Sequence, residues 1–146
     1  MGILVQAMRE FAHSIIVSVE PDMVIGRNNR PYMKRWFLLR NDHSQNQVGN
    51  NVYIHQFLRS DEESPHDHPW SNSSLVLHGR YSEWTPDGSF ERSVGDIIER
   101  PASAIHAIQE VEPGTLTLFT TGVWERPWGF HTVKGFIPWR EFKGRS

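Results

Sequence analysis

The sequence contains no cysteine in its 146 residues. That excludes disulfides, zinc–thiolate sites and iron–sulfur clusters, so any transition metal must be held by nitrogen and oxygen ligands. An excess of charge is also missing: 15 basic and 17 acidic residues leave a formal net charge of -2. There is no basic footprint for nucleic acid and no polybasic segment for a membrane surface. No apolar run approaches the ~18 residues of a membrane span. The N-terminal run Gly2–Val19 is broken by Arg9, Glu10 and His13 and makes a poor signal-peptide core. A cytoplasmic protein is expected. No linker, repeat or low-complexity segment interrupts the chain, and its length fits a single domain over residues 1–146.

What is present in quantity is aromatic: six tryptophans and eight phenylalanines. They can build a core, and they can also line a pocket. Turn chemistry divides the chain into short β-prone stretches. Ile3, Leu4, Ala7, Met8 and Phe11 have helical spacing over Met1–His13, and the β-branched Ile15–Val19 reads as a following strand. Strands are expected over Tyr32–Arg40, Val52–Arg59, Ser73–Trp84, Phe90–Ser93, Ile97–Arg100, Ile105–Glu110 and Thr115–Thr121. Gly79 inside the longest of these implies a bulge, a bend or a close backbone approach. Asp42–Asn51 reads as a polar loop or hairpin connection, Trp124–His131 as an interrupted aromatic segment, and Phe136–Phe142 as ending in a helical turn. Short strands with turns every 8–12 residues or so argue an all-β sandwich or barrel.

One stretch carries chemistry. His66-Asp67-His68-Pro69-Trp70 places two histidines one residue apart. On a strand they project to one face, and two neutral imidazoles on one face can both reach a divalent metal. His106 follows 38 residues after His68, beyond a Gly-Asp turn and a proline.

These residues resemble the cupin family. Its first motif runs glycine, five residues, His-x-His, three or four residues, glutamate, six residues, glycine. His66, His68 and Gly79 match it, with Ser60 in place of the first glycine and Asn72 in place of the glutamate. The second motif runs glycine, five residues, proline, one residue, glycine, two residues, histidine, three residues, asparagine. Gly95, Pro101 and His106 match, with Ser103 and Glu110 at the two departures. The motifs span about 60–79 and 95–110, roughly a third of the chain. Ser-Pro-His-Asp-His-Pro-Trp, with Trp-Gly-Phe-His downstream, also looks like a group of small bacterial and phage cupins.

The resemblance implies a double-stranded β-helix, or jelly-roll, barrel with short peripheral helices. It implies metal ligation by His66, His68 and His106, with Asn72 as a further candidate ligand or a turn residue. Three imidazoles leave positions open, the mark of a catalytic site. With no carboxylate ligand the metal keeps its full charge and favours an anionic substrate group. The three-histidine set is similar to that of the thiol dioxygenases, so Fe(II) is the favoured occupant, with Zn, Ni and Mn as others.

Substrate-facing candidates are Tyr53, His55 and Arg59 on one strand face, Trp70, and His131 from the C-terminal segment. Arg59 could pair a carboxylate bidentately, or be an exposed arginine partnering Asp61; Arg40 and Arg100 carry the same ambiguity. Asp67 should point away from the metal. Three functions follow: an Fe(II)-dependent dioxygenase on a small molecule; a metal-dependent isomerase or hydrolase, for which Glu83, Glu110, His78 and His131 are the candidate bases; and a non-catalytic cupin binding a small molecule or metal. A homodimer is a reasonable expectation, because exposed β edges need cover.

Overall fold

The computed structural model describes residues 2–27, 29–43, 46–47, 49–60 and 64–142. The chain opens with helix α1 (Ile3–Ser18). Val5, Met8, Ala12, Ile15 and Ile16 form its inner stripe and pack on Trp36, Ile54, Leu77 and Leu116 of the sheet beneath. The strand expected over Ile15–Val19 is therefore corrected: the helix runs on to Ser18. β-branching costs a helix only a fraction of a kcal/mol per residue, whereas a buried isoleucine contributes about 1.5–3 kcal/mol. Ser14 and Ser18 return their hydroxyls to the carbonyls of Phe11 and Ser14. Trp36 Nε1 donates to Val19 O at the helix end (2.8 Å), satisfying one of its last carbonyls.

The strands follow: β1 (Met23–Arg27), β2 (Arg30–Leu39), β3 (Asp42–His43), β4 (Asn46–Gln47), β5 (Val52–Phe57), β6 (Asn72–His78), β7 (Arg80–Thr85), β8 (Gly88–Ser93), β9 (Ile97–Arg100), β10 (Ala107–Gln109), β11 (Thr115–Thr121), β12 (Gly129–Thr132) and β13 (Gly135–Pro138). A six-stranded antiparallel sheet has the order β1-β2-β5-β11-β6-β9, and a three-stranded sheet the order β10-β7-β8. Met33, Phe57, Val76, Tyr81, Ile98 and Ile108, drawn from both sheets, form one buried core cluster. The six-stranded sheet is thus covered on one face by the second sheet and on the other by α1. This is a jelly-roll barrel, mostly β, with α1 as the peripheral helix among the described residues.

The long strand expected over Ser73–Trp84 is two strands in two sheets. Gly79 has φ +78°, and a Cβ there would stand 2.3 Å from Thr115 Oγ1. Only glycine accommodates both the dihedral and the approach, so the chain crosses between sheets at this point. Just before it, Leu116 pairs with His78 and Thr117 with Val76, leaving Leu77 bulged. Leu75 and Leu77 share the helix-side core by ordinary alternation, and the offset turns His78 to that same side, against Arg9 (2.9 Å). The helical turn expected at Phe136–Phe142 is also corrected. Gly135–Pro138 pairs with β12 as a hairpin, a turn follows, and Phe142 stacks on Phe130 at 3.9 Å. Among the described residues no helix is long and apolar enough to cross a membrane.

Candidate metal centre

The His66–His68 segment is extended but belongs to no regular strand. His66 exchanges both backbone hydrogen bonds with His106 (3.0 Å each) and bridges Phe130 on its other side. Asp67 N donates to Gly129 O (3.2 Å) and His68 N to Ala102 O (3.1 Å). Pinned in this way, the segment keeps the alternation of a strand: His66 and His68 share one side and Asp67 faces the other.

The structure brings His66, His68 and His106 together. Their ring centroids form a triangle of 5.1, 4.9 and 5.0 Å. One nitrogen from each lies within 4.8 Å of the others, close enough for a single ion to be shared. The surroundings favour the neutral form of each imidazole. Burial lowers His66 and His106 to about 4, with the Arg100 charge acting in the same direction, and burial and the neighbouring imidazoles lower His68 well below its usual value. His68 Nδ1 and His106 Nε2 are buried and have no hydrogen-bond partner among the described residues.

Glu83 organises the site from behind. It is 1 % exposed, and its Oε2 accepts from His106 Nδ1 (2.6 Å) and from Arg100 Nε (2.7 Å), while Oε1 accepts from Arg92 Nε (2.9 Å). Burial alone would raise this carboxyl; the His106 hydrogen bond and the Arg100 guanidinium hold it far below the usual carboxylate range instead. A carboxylate on Nδ1 fixes the tautomer that leaves Nε2 lone-paired toward the triad. From the sequence alone Glu83 is a candidate base, with no sign that it holds His106. The missing information is tertiary: β10 pairs with β7, setting Ile108 against Glu83.

Asn72 is buried, but its amide is committed elsewhere. Oδ1 accepts from Arg100 Nη1 (3.1 Å) and Nδ2 donates to Trp70 O (3.3 Å). The triad's walls are aromatic. Trp70 stacks on His68 (5.7 Å, 19°), and Phe119 lies 6.2 Å from the same ring. From the C-terminal segment, Trp128 stands over His68 at 6.5 Å and Phe130 lies 5.8 Å from His66. That segment is tied down by Asp67, whose carboxylate accepts from Gly129 N (2.9 Å) and pairs with His131 Nε2 (3.0 Å) and Arg126 (2.7 Å). His131 therefore serves Asp67 and not the triad.

His55 is buried beneath Phe119 (4.8 Å) and accepts from Arg35 Nε (2.9 Å); burial first, and the Arg35 charge second, hold it neutral. Tyr53 lies beneath the same guanidinium, 4.7 Å from its carbon. These residues floor the barrel below the triad. Arg59 is turned away, donating to Pro31 O (3.3 Å) and Arg30 O (2.5 Å) at the β1–β2 turn, and Asp61 lies outside the described residues. Arg40 is exposed on the Phe37 ring (4.6 Å).

No family model and no curated protein sequence matches the chain. Solved structures do. A cupin-2 domain protein from Rhodospirillum rubrum aligns over 77% of this chain and 76% of its own, with TM-score 0.59 and 10% identity. An RmlC-like cupin from Shewanella frigidimarina aligns over 77% and 89%, with TM-score 0.56 and 19% identity. The fold is that of the cupins. Other cupin-like neighbours carry functional names: KdgF from Halomonas sp. (TM-score 0.54, 17% identity, 72% of this chain and 96% of that one) and the DMSP lyase DddQ from Ruegeria pomeroyi (TM-score 0.57, 15% identity, 73% of this chain). The chain spans about half of DddQ, 55% of its length. Within this cupin barrel the three histidines form a cluster able to hold a divalent metal.

Proposed function

We propose that this cupin is a metal-dependent enzyme in which His66, His68 and His106 hold a divalent transition metal, Fe(II) first among the occupants, and that it oxygenates a small anionic molecule. The observation that carries the reading is the triangle of three imidazoles, with His106 Nε2, left free by the Nδ1 bond to Glu83, buried and unpartnered among the described residues. A buried polar nitrogen without a partner costs about 1–3 kcal/mol, a penalty a bound ion would remove. Fe(II) in such a site would supply Lewis-acidic and redox chemistry with positions to spare for small ligands.

The protein's own residues would do the rest. Glu83 holds the His106 ring and its tautomer. Trp70, Phe119, Trp128 and Phe130 wall the triad with apolar surface, which strengthens charge interactions there, while His66 and His68 stay partly exposed. Oxygenation is preferred over base-dependent hydrolysis or isomerisation because each candidate base is engaged elsewhere. Glu83 is saturated by His106, Arg100 and Arg92; His131 is on Asp67; His78 is on Arg9; and Glu110 is exposed beyond β10. A second reading, metal-assisted lyase chemistry, draws on the fold shared with the DMSP lyase DddQ.

The test is O₂ consumption by protein loaded anaerobically with Fe(II) and offered a panel of small thiols and carboxylates. Substrate-dependent uptake supports oxygenation. Turnover of a carboxylate without O₂ uptake moves the assignment to the lyase reading, and neither leaves a binding module.

A further inference from the structure

Resting on the reading of the triad as a metal site, we infer that Arg100 is the substrate anchor of this barrel and that the group it reads is a small carboxylate.

Arg100 ends β9 and is turned inward, its side chain 5% exposed. Three of its five N–H groups lie on nitrogens with partners. Nε donates to Glu83 Oε2 (2.7 Å), and Nη1 donates to Asn72 Oδ1 and Ser74 Oγ (3.1 Å each). Nη2, also buried, makes no direct hydrogen bond among the described residues, and the Tyr81 hydroxyl stands beside the guanidinium. Three well-aimed hydrogen bonds make the guanidinium rigid, so its outer nitrogen presents donors in a fixed direction at little entropic cost.

Its position is set by a shared atom. The Glu83 Oε2 that accepts from Arg100 also accepts from His106 Nδ1 (2.6 Å), so one carboxylate oxygen links the guanidinium to a triad imidazole. The Arg100 charge acts on all three imidazoles, so a ligand group on Nη2 would lie in the same part of the barrel as whatever occupies the triad.

Charge points the same way. Glu83 is one anion shared by two cations, Arg100 and Arg92. The position where the cupin motif carries glutamate is Asn72, and its neutral amide oxygen faces Arg100. The departure from the motif thus withholds a carboxylate from the barrel and leaves one positive charge there to be balanced by a ligand. A carboxylate is the planar acceptor that a guanidinium edge fits best. Arg59, another arginine that could have paired a carboxylate, donates instead to the backbone carbonyls of Pro31 and Arg30.

The test is acetate binding to metal-free, full-length protein, measured by isothermal titration at constant ionic strength, with acetamide as neutral isostere and sulfate as tetrahedral anion. Acetate should bind in preference to both. R100K, which keeps the charge toward Glu83 and loses the outer donors, should weaken acetate at least tenfold. Should R100K fail to fold, N72E provides the second arm: it sets a carboxylate against Arg100 and should weaken acetate by a similar factor. Acetate binding unchanged in the folded variant, no preference over acetamide, or a preference for sulfate overturns the assignment. Metal content, measured separately on wild type, distinguishes the two readings: metal without acetate binding defeats the anchor alone, and acetate binding without metal defeats the metal site alone.

Discussion

Glu83→Gln tests how the site is held together. The side chain is nearly isosteric, so packing barely changes and the perturbation is electrostatic. Wild-type Glu83 is 1% exposed and accepts hydrogen bonds from His106, Arg100 and Arg92. Glutamine keeps one acceptor and substitutes an NH₂ that faces donors. Arg100, equally buried, then keeps its charge with only Asn72 and Ser74 as neutral partners. Removing one member of a buried ion pair costs about 3–5 kcal/mol, because the remaining charge is stranded. At about 3–4 °C per kcal/mol for a chain of this size, the melting temperature should fall by roughly 10–20 °C. The His106 ring also loses its fixed tautomer, and metal affinity should drop about 10–100-fold. Urea unfolding of metal-free protein reads the first effect and competition with a chelator reads the second. Glu91→Gln is the control: Glu91 pairs with Arg80 on the surface, and solvent screens the pair. A Glu83→Gln protein within ~1 kcal/mol of wild type, or one with unchanged metal affinity, would refute the reasoning.

Three further outcomes are expected. Asp67→Asn should free the β12–β13 hairpin by weakening its ties to Arg126 and His131; it should cost about 1–3 kcal/mol and speed hydrogen exchange in Gly129–Thr132, whereas unchanged exchange there would contradict the role given to Asp67. Gly79→Ala must place a Cβ 2.3 Å from Thr115 Oγ1 at φ +78°, and should cost about 1–3 kcal/mol by urea unfolding; a neutral substitution would mean that the crossing between sheets is not tight. For pH, His106 has a folded value of about 4 against 6.5 unfolded, so between these values the unfolded chain holds the extra proton. Stability of the metal-free protein is then full above about pH 6.5 and is lost as pH falls toward 4, by about 3 kcal/mol for this one histidine. Denaturation midpoints that do not move between pH 7 and 4.5 would contradict its burial in the neutral form.

Much of the architecture was legible because the informative signals were local. β9 and β11 begin and end where β-branched runs meet turn residues, at Ile97–Arg100 and Thr115–Thr121. His66, His68 and His106 stood out through spacing, and Gly79 through its place inside a β-prone run. What escaped the sequence depended on pairings between distant segments. The end of α1 was misread because Ile15 and Ile16 favour strand locally, while burial against Trp36 and Leu116 decides the matter. The C-terminal hairpin escapes a local reading because Pro127 and Gly129 look like interruptions of an aromatic segment, when Gly129 is the start of a strand that pairs with Gly135–Pro138. Glu83 and Arg100 look like ordinary charges on exposed strands; only the pairing of β7 with β10 and of β6 with β9 sets them beside His106 and Asn72. Arg59 sat at the right parity on its strand, but the chain leaves the sheet after Phe57 and carries it to the β1–β2 turn.

The measurement that tests the central claim most directly is elemental analysis of untagged protein, purified without chelator, for wild type and His106→Ala together, with circular dichroism to confirm the fold of each. The account predicts close to one transition-metal ion per wild-type chain, and background metal in a folded His106→Ala protein. Equal metal in the two proteins, or a wild type that takes up no metal after anaerobic loading with Fe(II), would contradict it.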